Sequence, residues 1–334
     1  MNKDQNKGSR ILIVGCGQLG SRHLQAIASV PFVREIEVVD PRPEALEIGR
    51  KLLSEIPERQ RPISFRWVTS IEEATKGGDL CIVATQAKGR SDIIFQVSEL
   101  LGYKNFLIEK IVTQSVADYE RLLDFAKRKK LSIWVNCKSR AHPSHKRVKA
   151  SLKPGEPIVF NISGGNHGLA NNGLHGADLF AFYDQTSEIK NAGAVIDPVL
   201  HPSKRGPEVF DLTGTLHGYT DKGSQFTLSF SANNTAPAQF SICSPSYRAV
   251  VDDAMKWFFE SSADTGWVWR QVPYEANLMV SNMTRNFAMD ILSKGKCELP
   301  TLEECFPAHQ FILNALQPHF KKLMKKEIQH CPVT

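Results

Sequence analysis

The 334-residue sequence has no paired-cysteine signature, no long apolar run and no dominant charge. Its seven cysteines, Cys16, Cys81, Cys137, Cys243, Cys297, Cys305 and Cys331, are odd in number and scattered, with no C-x-x-C pair. That pattern excludes a disulfide framework and a zinc ribbon, and it leaves reduced thiols as the expectation. No apolar stretch approaches the roughly 18–20 residues that a membrane-spanning helix needs. The polar residues Met1 to Ser9 carry no signal-peptide core, so a cytoplasmic protein is expected. The net charge of +6 is modest for this length. Its densest basic run, Lys321-Lys322-Leu-Met-Lys325-Lys326, reads as a solvated helix face, so neither nucleic acid nor a membrane is an expected partner. Repeats and low-complexity segments are absent as well.

What the chain does have is Arg10-Ile-Leu-Ile-Val-Gly15-Cys16-Gly17-Gln18-Leu19-Gly20. The apolar run Ile11 to Val14 reads as a parallel strand covered on both faces. It passes directly into G-x-G-x-x-G and then into a helix with Leu24 and Ile27 on one side. Gly15 permits the tight turn, Gly17 lets the backbone approach a pyrophosphate, and Gly20 lets the helix pack close to its strand. The helix N-terminus offers N–H groups to the phosphates. A second apolar run, Ile36 to Val39, ends in Asp40, at about the separation where an acid meets the adenosine ribose. Asp40 favours NAD as the cofactor, while Arg42, two residues on, keeps NADP open.

Strand and helix then alternate: a helix from Pro43 to Leu53, strands at Ser64–Val68, Leu80–Ala84, Phe106–Ile108 and Ser132–Val135, and helices at Ser91–Leu101 and Ala117–Arg128. This is the pattern of an α/β protein, with a doubly wound parallel sheet over residues 1–140. From about Lys153 the texture changes. Ile158–Ile162, Val209–Tyr219, Gln225–Phe230, Gln239–Cys243 and Trp267–Val272 read as strands, joined largely without helices, with a hairpin turn at Asp221-Lys-Gly223. Helices are expected at Leu174–Tyr183, Asn277–Ser293 and Leu302–Lys326, the last opened by a Thr301/Glu304 capping box. Residues 141–334 thus read as an α+β domain with a large, mostly antiparallel open sheet. Alternation that places Phe, Leu and Trp on both faces of that sheet points to a homodimer or homotetramer.

With the fingerprint, Ala84-Thr85, Glu109-Lys110, Asn136 to Pro143 and Gly173-x-His175-x-x-Asp178 in one order, the chain resembles the Gfo/Idh/MocA oxidoreductases, NAD(P)-dependent sugar and cyclitol dehydrogenases. The likeness runs from Ile11 to about Leu316. Ile108-Glu-Lys-Ile111, Trp134-Val-Asn-Cys137, Gly168-Leu-Ala-Asn-Asn172 and Leu299-Pro-Thr-Leu-Glu-Glu304 resemble a branch found with bacterial surface-polysaccharide and sugar-nucleotide genes. A sugar or nucleotide-sugar substrate is what the resemblance implies.

It also implies roles. Lys110 matches the family lysine beside nicotinamide and substrate hydroxyl, where an ammonium stabilises negative charge developing on oxygen. His175 matches the family's general base, and an imidazole titrates near neutrality. Both are catalytic candidates, and both would touch substrate. Cofactor contacts are expected from Gly15, Cys16, Gly17, Gln18, Leu19, Gly20, Asp40, Arg42, Ala84, Thr85, Gln86, Arg90, Glu109 and Lys110. Substrate contacts are expected from Asn136, Arg140, Asn171 and Asn172. The Arg140 fork suits a phosphate or carboxylate, and the loop cations Lys204 and Arg205 form a candidate anion site. No residue set suggests a metal. The chain departs from the family pattern at Ile111 (usually proline), Gln86 (proline), Arg90 (histidine) and Asn171 (often aspartate, four residues before the histidine). These departures keep a second reading alive, a cofactor-binding sensor or scaffold without turnover. Aldol-like or eliminating chemistry on a bound nicotinamide is a third.

Overall fold

The run Ile11 to Val14 lies at the centre of a six-stranded parallel sheet in a computed structural model that describes residues 8–56, 62–274 and 280–334. In chain order the elements are β1 (Ser9–Val14), α1 (Gln18–Ala28), β2 (Val33–Val39), α2 (Pro43–Ser54), β3 (Ser64–Val68), β4 (Leu80–Val83), α3 (Arg90–Gln96), β5 (Asn105–Ile108), α4 (Val116–Lys129) and β6 (Ser132–Val135). A π-helical turn, Val97–Leu101, continues α3, so the expected Ser91–Leu101 helix is present but loosened in its second half. The strands stand in the order β3-β2-β1-β4-β5-β6, all parallel. The order reverses between β1 and β4, and ligands of open α/β sheets bind at such a switch point, beyond the carboxyl ends of the strands. Every residue of β4 is fully buried, as a strand covered on both faces requires.

After β6 come α5 (Pro143–Ser151), β7 (Val159–Gly164), α6 (Gly173–Asp184), β8 (Lys190–Ile196), β9 (His201–Pro202), β10 (Phe210–Asp211), β11 (Gly214–Tyr219), β12 (Gln225–Phe230), β13 (Gln239–Cys243), β14 (Tyr247–Asp252), β15 (Trp257–Ser262), β16 (Arg270–Val272), α7 (Val280–Lys294) and α8 (Leu302–Met324). Eight strands form the second sheet in the order β16-β15-β14-β13-β7-β12-β11-β8. All its pairings are antiparallel except β12 with β7. Aromatic side chains fill its helix-covered face. Phe180 of α6 stacks on Phe226 at 5.1 Å, Phe226 on Phe160 at 5.9 Å, and Phe311 of α8 tilts against Phe226 at 5.7 Å. Such pairs add to what area burial alone contributes.

The chain divides into two units, Met1–Thr113 with Tyr119–Asn136 and Asn277–Leu302, and Gln114–Asp118 with Cys137–Ala276 and Glu303–Thr334. One crossing near residue 140 is therefore replaced by several. Helix α7 returns to the first unit because it lies against α1, where Thr284 Oγ1 sits 3.0 Å from His23 Nδ1.

Three expectations about the second sheet are corrected. The Val209–Tyr219 strand is broken at Leu212-Thr213 into β10 and β11. The Trp267–Val272 strand survives only as Arg270–Val272, because Trp267 takes a left-handed backbone with φ 64°. The sheet's uncovered face is also not broadly apolar. In β11 and β12 the phenylalanines and leucines point inward, and Thr215, His217, Thr227 and Ser229 point outward, with Thr215 Oγ1 2.9 Å from Ser229 Oγ. Exposed apolar side chains on this sheet include Val159, Val195 and Tyr219, and Trp267 and Trp269 stand exposed before β16, where Arg248 stacks on Trp269 and Trp267 at 4.5 and 5.3 Å. Among the described residues no helix is long and apolar enough to cross a membrane. The start expected for the helix Asn277–Ser293 lies outside the described residues.

Candidate active site

Four loops of the first unit carry expected cofactor residues and a fifth carries the expected substrate residue Asn136, each directly after a strand. Gly15 follows β1, Asp40 follows β2, Ala84-Thr85-Gln86 follow β4, Glu109-Lys110 follow β5, and Asn136 follows β6. One edge of one sheet therefore gathers them. A methyl group placed in turn on each of the three glycines separates their tasks. On Gly20 it would fall 1.8 Å from the Gly15 carbonyl oxygen, so this glycine is required by packing of α1 on the β1 turn. Gly15 has φ +92°, which only glycine adopts without strain, and its methyl would stand 3.0 Å from Ala84 and Thr85. On Gly17 the methyl would meet nothing nearer than an Arg42 nitrogen at 3.7 Å. Protein leaves that space open at the N-terminus of α1, where Gly17 is the N-cap without a side-chain cap and no acid occupies the first turn. An open cradle beside uncapped N–H groups is what a pyrophosphate fits. Gln18 is exposed and Leu19 half-buried at its rim, and Cys16 is buried beneath, its thiol pushed up to about 11 by burial and then by Asp40.

Asp40 is 2 % exposed and its carboxylate already accepts four hydrogen bonds. Oδ2 takes the Cys16 N–H at 2.8 Å and Arg42 at 3.2 Å, and Oδ1 takes the Arg42 N–H at 3.0 Å and its Nε at 3.1 Å. Burial alone would raise its pKa. The bonds from Arg42 and the Cys16 N–H outweigh that and keep the carboxyl below its ordinary range. The acid thus braces the glycine turn from below, and Arg42, largely exposed, closes over it.

Below Lys110 lies a buried polar network of which the sequence showed only part. Glu109 Oε1 accepts from Asn136 Nδ2 at 2.6 Å and from His23 Nε2 at 2.8 Å, while His23 Nδ1 faces Thr284. Burial would raise Glu109, but these bonds and the nearby Arg90 charge hold it down at about 2, so it is ionised. Its carboxylate fixes the proton of His23 on Nε2. Arg90, 1 % exposed, donates to the backbone carbonyls of Thr85, Glu109 and Ile111. The expectation of a cofactor contact from the Arg90 side chain is therefore corrected: its guanidinium ties the loop after β4 to the loop after β5, on both sides of Lys110. The Lys110–Ile111 peptide is cis although residue 111 is not proline. Asn136 and Glu109, assigned to substrate and cofactor from the sequence, spend these polar atoms on one another. His23 and Thr284 were missed. A histidine on the inward side of α1 was visible, but its partners lie 86 and 261 residues away.

In the second unit His175 stands half-buried in the first turn of α6. A π-helical turn, Gly168–Asn172, leads into it, and Asp211 pins that turn by accepting the backbone N–H of Ala170 at 2.8 Å and of Asn171 at 2.9 Å. Gly168, at φ +80°, lets the carboxylate approach, since a methyl there would lie 2.1 Å from Asp211 Oδ2. Asn172 donates to the His167 carbonyl. One turn past His175, Asp178 receives both prongs of Arg140 at 2.7 Å. Burial works against the Arg140 charge, and Asp178 more than reverses it, raising the arginine's pKa. The anion that this fork holds is thus the chain's own, and Arg140 is not placed as a substrate contact. Cys137 and Cys305 approach to 3.3 Å beside the same carboxylate, where the guanidinium already supplies the positive charge. Arg205 donates to the Thr334 oxygen at 2.8 Å, whereas Lys204 stands exposed beside it.

Further along the same segment, His142 is buried at the start of α5, its Nδ1 2.7 Å from Ser144 Oγ. Burial lowers it from 6.5 to about 4. Its neutral form is favoured by folding, so its contribution to stability is complete above pH 6.5 and disappears as pH falls through 4. The thermal midpoint should drop over that window in the wild type, and less steeply in His142→Asn. Parallel curves for the two proteins would refute the assignment.

The glycine cradle, the ribose-side acid and the strand order define a dinucleotide-binding protein of the Rossmann class. Residues 9–137 match the model of the Gfo/Idh/MocA oxidoreductase family, NAD-binding Rossmann fold. Its cofactor is NAD(P). A 4-carboxy-2-hydroxymuconate-6-semialdehyde dehydrogenase of Sphingobium sp. is 24 % identical over 248 residues, covering 68 % of this chain and 73 % of that protein. An oxidoreductase from Agrobacterium radiobacter, solved with NAD+, L-tartaric acid and magnesium, superposes with a TM-score of 0.72 at 14 % identity, over 91 % of this chain and 94 % of that one. A 3-ketoreductase from Actinomadura kijaniata, solved with NADP and TDP-benzene, gives 0.69 at 17 % identity, over 91 % and 96 %. At these identities the two structures establish a shared fold.

Proposed function

We propose that the chain is an NAD(P)-dependent dehydrogenase or reductase acting on a hydroxyl or keto carbon of a sugar derivative, with a nucleotide-sugar as the first candidate. The observation that carries this reading is Lys110, 7 % exposed, at the carboxyl edge of β5 on the sheet that bears the glycine cradle, with its loop braced by Arg90 on both sides. The nicotinamide, when bound, supplies hydride exchange with the substrate carbon. Lys110 Nζ donates a hydrogen bond to the reacting oxygen and stabilises its developing negative charge. His175 takes the hydroxyl proton in oxidation and returns it in reduction. The ketoreductase neighbour crystallised with TDP-benzene supports a nucleotide-sugar, and exposed Lys204 is the remaining candidate for its anionic part. The test is a panel of nucleotide-sugars and free sugars with NAD and NADP, followed by reduced-nicotinamide absorbance and product mass. Tight cofactor binding with no turnover across the panel would favour the sensor reading instead.

We further propose NAD over NADP. The ionised Asp40 occupies the place where a 2′-phosphate would arrive, and Arg42 is engaged with it. Asp40→Asn, which removes the charge, should shift the ratio of NADP to NAD affinity toward NADP by about tenfold, or 1.4 kcal/mol. Calorimetric titration of both cofactors checks it, and a wild type that binds NADP tenfold more tightly would end the assignment. Assembly into a homo-oligomer remains part of the proposal, with sedimentation at micromolar concentration as its test.

A further inference from the structure

The four residues Cys331-Pro-Val-Thr334 are tied to three separate stretches of the second unit by hydrogen bonds to their backbone. Cys331, Val333 and Thr334 are all buried, between 1 and 5 % exposed. The Cys331 N–H donates to the Gln114 carbonyl at 2.8 Å, and Gln114 Nε2 returns a bond to the Val333 carbonyl at 2.9 Å. Between them the Pro332 carbonyl accepts the Phe210 N–H of β10 at 2.7 Å. Arg205, in the turn between β9 and β10, donates to the Thr334 oxygen. The residue after Phe210 is Asp211, whose carboxylate holds the Ala170 and Asn171 N–H groups. The Leu169 N–H also donates to the Leu212 carbonyl at 2.8 Å. One continuous set of hydrogen bonds thus runs from Gln114 through the tail and β10 to the turn that opens α6. All of these residues lie in the second unit.

The two ends of this set have definite positions in the sequence. Gln114 follows Lys110 by four residues, and Asn171 precedes His175 by four. We propose that the 331–334 segment is a positioning strap: by fixing Gln114, β10 and, through Asp211, the Ala170–Asn171 turn in one frame within the second unit, it sets the chain that enters His175. The catalytic part of this inference rests on the role proposed above for His175, and the structural part does not. A strap of this kind acts on the chemical step. Displacing a reacting group by even about 1 Å can cost as much as 10²-fold in rate. It leaves the glycine cradle alone.

The test compares the full chain with a chain ending at His330 and with Gln114→Glu, which replaces the amide donor by an acceptor facing the Val333 carbonyl. Amide hydrogen exchange is read at Ala170 and Asn171, whose N–H groups donate to Asp211. Cofactor affinity is read by calorimetry as the control for folding of the nucleotide site. Exchange at these two amides should rise by about tenfold in the shortened chain and by a smaller factor in Gln114→Glu. NAD(H) affinity should stay within twofold. In a nucleotide-sugar assay that gives turnover, kcat should fall by about tenfold or more with the cofactor KM unchanged. Exchange at Ala170 and Asn171 within twofold of the full chain, while Phe210 exchange rises, would overturn the strap. Increased exchange with unchanged kcat would overturn its positioning role. Absence of turnover in every protein would count against the proposed function, and the exchange data would still decide the frame. If the shortened chain fails to bind cofactor, the point variant decides.

Discussion

Lys110→Ala and His175→Ala should each lower kcat by about 10²–10⁴, the usual scale for charge and proton stabilisation in a transition state, while cofactor affinity changes by no more than a few-fold. The separation of the two effects follows from the local architecture. The proposed pyrophosphate cradle, Gly15 to Gly20 with the N-terminus of α1, does not depend on the Lys110 side chain. The loop that carries Lys110 is held by the Arg90 guanidinium through the Glu109 and Ile111 carbonyls, so truncating the lysine leaves its backbone supported. His175 stands on a helix that is otherwise almost entirely buried, and the turn that leads into it is pinned by Asp211. Lys110→Met and His175→Gln, which keep most of the volume, should be equally slow. Stopped-flow or steady-state rates with whichever sugar substrate turns over, set beside calorimetric cofactor affinities, measure both quantities. Wild-type rates in both alanine variants would remove the catalytic assignment.

Gly17→Val should have the opposite signature: NAD(H) affinity lost by more than about 100-fold, or 2.7 kcal/mol, in a protein that melts within a few degrees of the wild type. Gly17 has φ −70° and ψ −162°, a backbone that valine adopts readily, and its added carbons enter space occupied by no protein atom closer than 3.7 Å. They would instead occupy the position of the pyrophosphate. Gly20→Ala, three residues on, should unfold or strongly destabilise the domain. Its methyl meets the Gly15 carbonyl oxygen at 1.8 Å, backbone against backbone, where overpacking of about 1–3 kcal/mol is a lower bound. Fluorescence titration with NADH and a thermal melt distinguish the two. Binding in Gly17→Val within tenfold of the wild type would mean that the open cradle is not the pyrophosphate site.

Two neighbouring glycines in one motif are thus needed for different reasons, and that difference separates what the linear chain reveals from what the folded chain reveals. The alternation of strand and helix up to Val135, the G-x-G-x-x-G motif in its strand–turn–helix setting and the acid at the end of β2 are local patterns. Their physics acts over a few residues, through burial on two faces, a tight turn and an uncapped helix start, so the parallel sheet and its nucleotide edge are legible without coordinates. The places of Lys110, after β5, and of His175, in the first turn of α6, were legible in the same way, whereas their catalytic roles come from the family resemblance and belong to the proposed function. Less was legible in the second sheet. Strands β14 and β15 and the break between β10 and β11 depend on cross-strand partners that the order of residues does not disclose.

What the tertiary structure alone decided is which polar side chains face the ligand and which face the protein. Arg90, Arg140, Arg205, Glu109 and Asn136 all carry groups suited to anions, ribose or sugar, and from the sequence all were assigned outward. Folded, Arg90 spans three carbonyls, Arg140 grips Asp178, Arg205 holds the Thr334 oxygen, and Glu109 joins His23 and Asn136. A buried charge or amide must find its partner within hydrogen-bonding distance or cost several kcal/mol. Arg205 is exposed and its bond is not forced in this way, but those partners of the buried Arg90, Arg140, Glu109 and Asn136 lie between 5 and 86 residues away along the chain. Residue types and spacing determine that such groups exist near a strand end, but only the closure of distant segments determines whether their hydrogen bonds are spent inside the protein or left for a substrate.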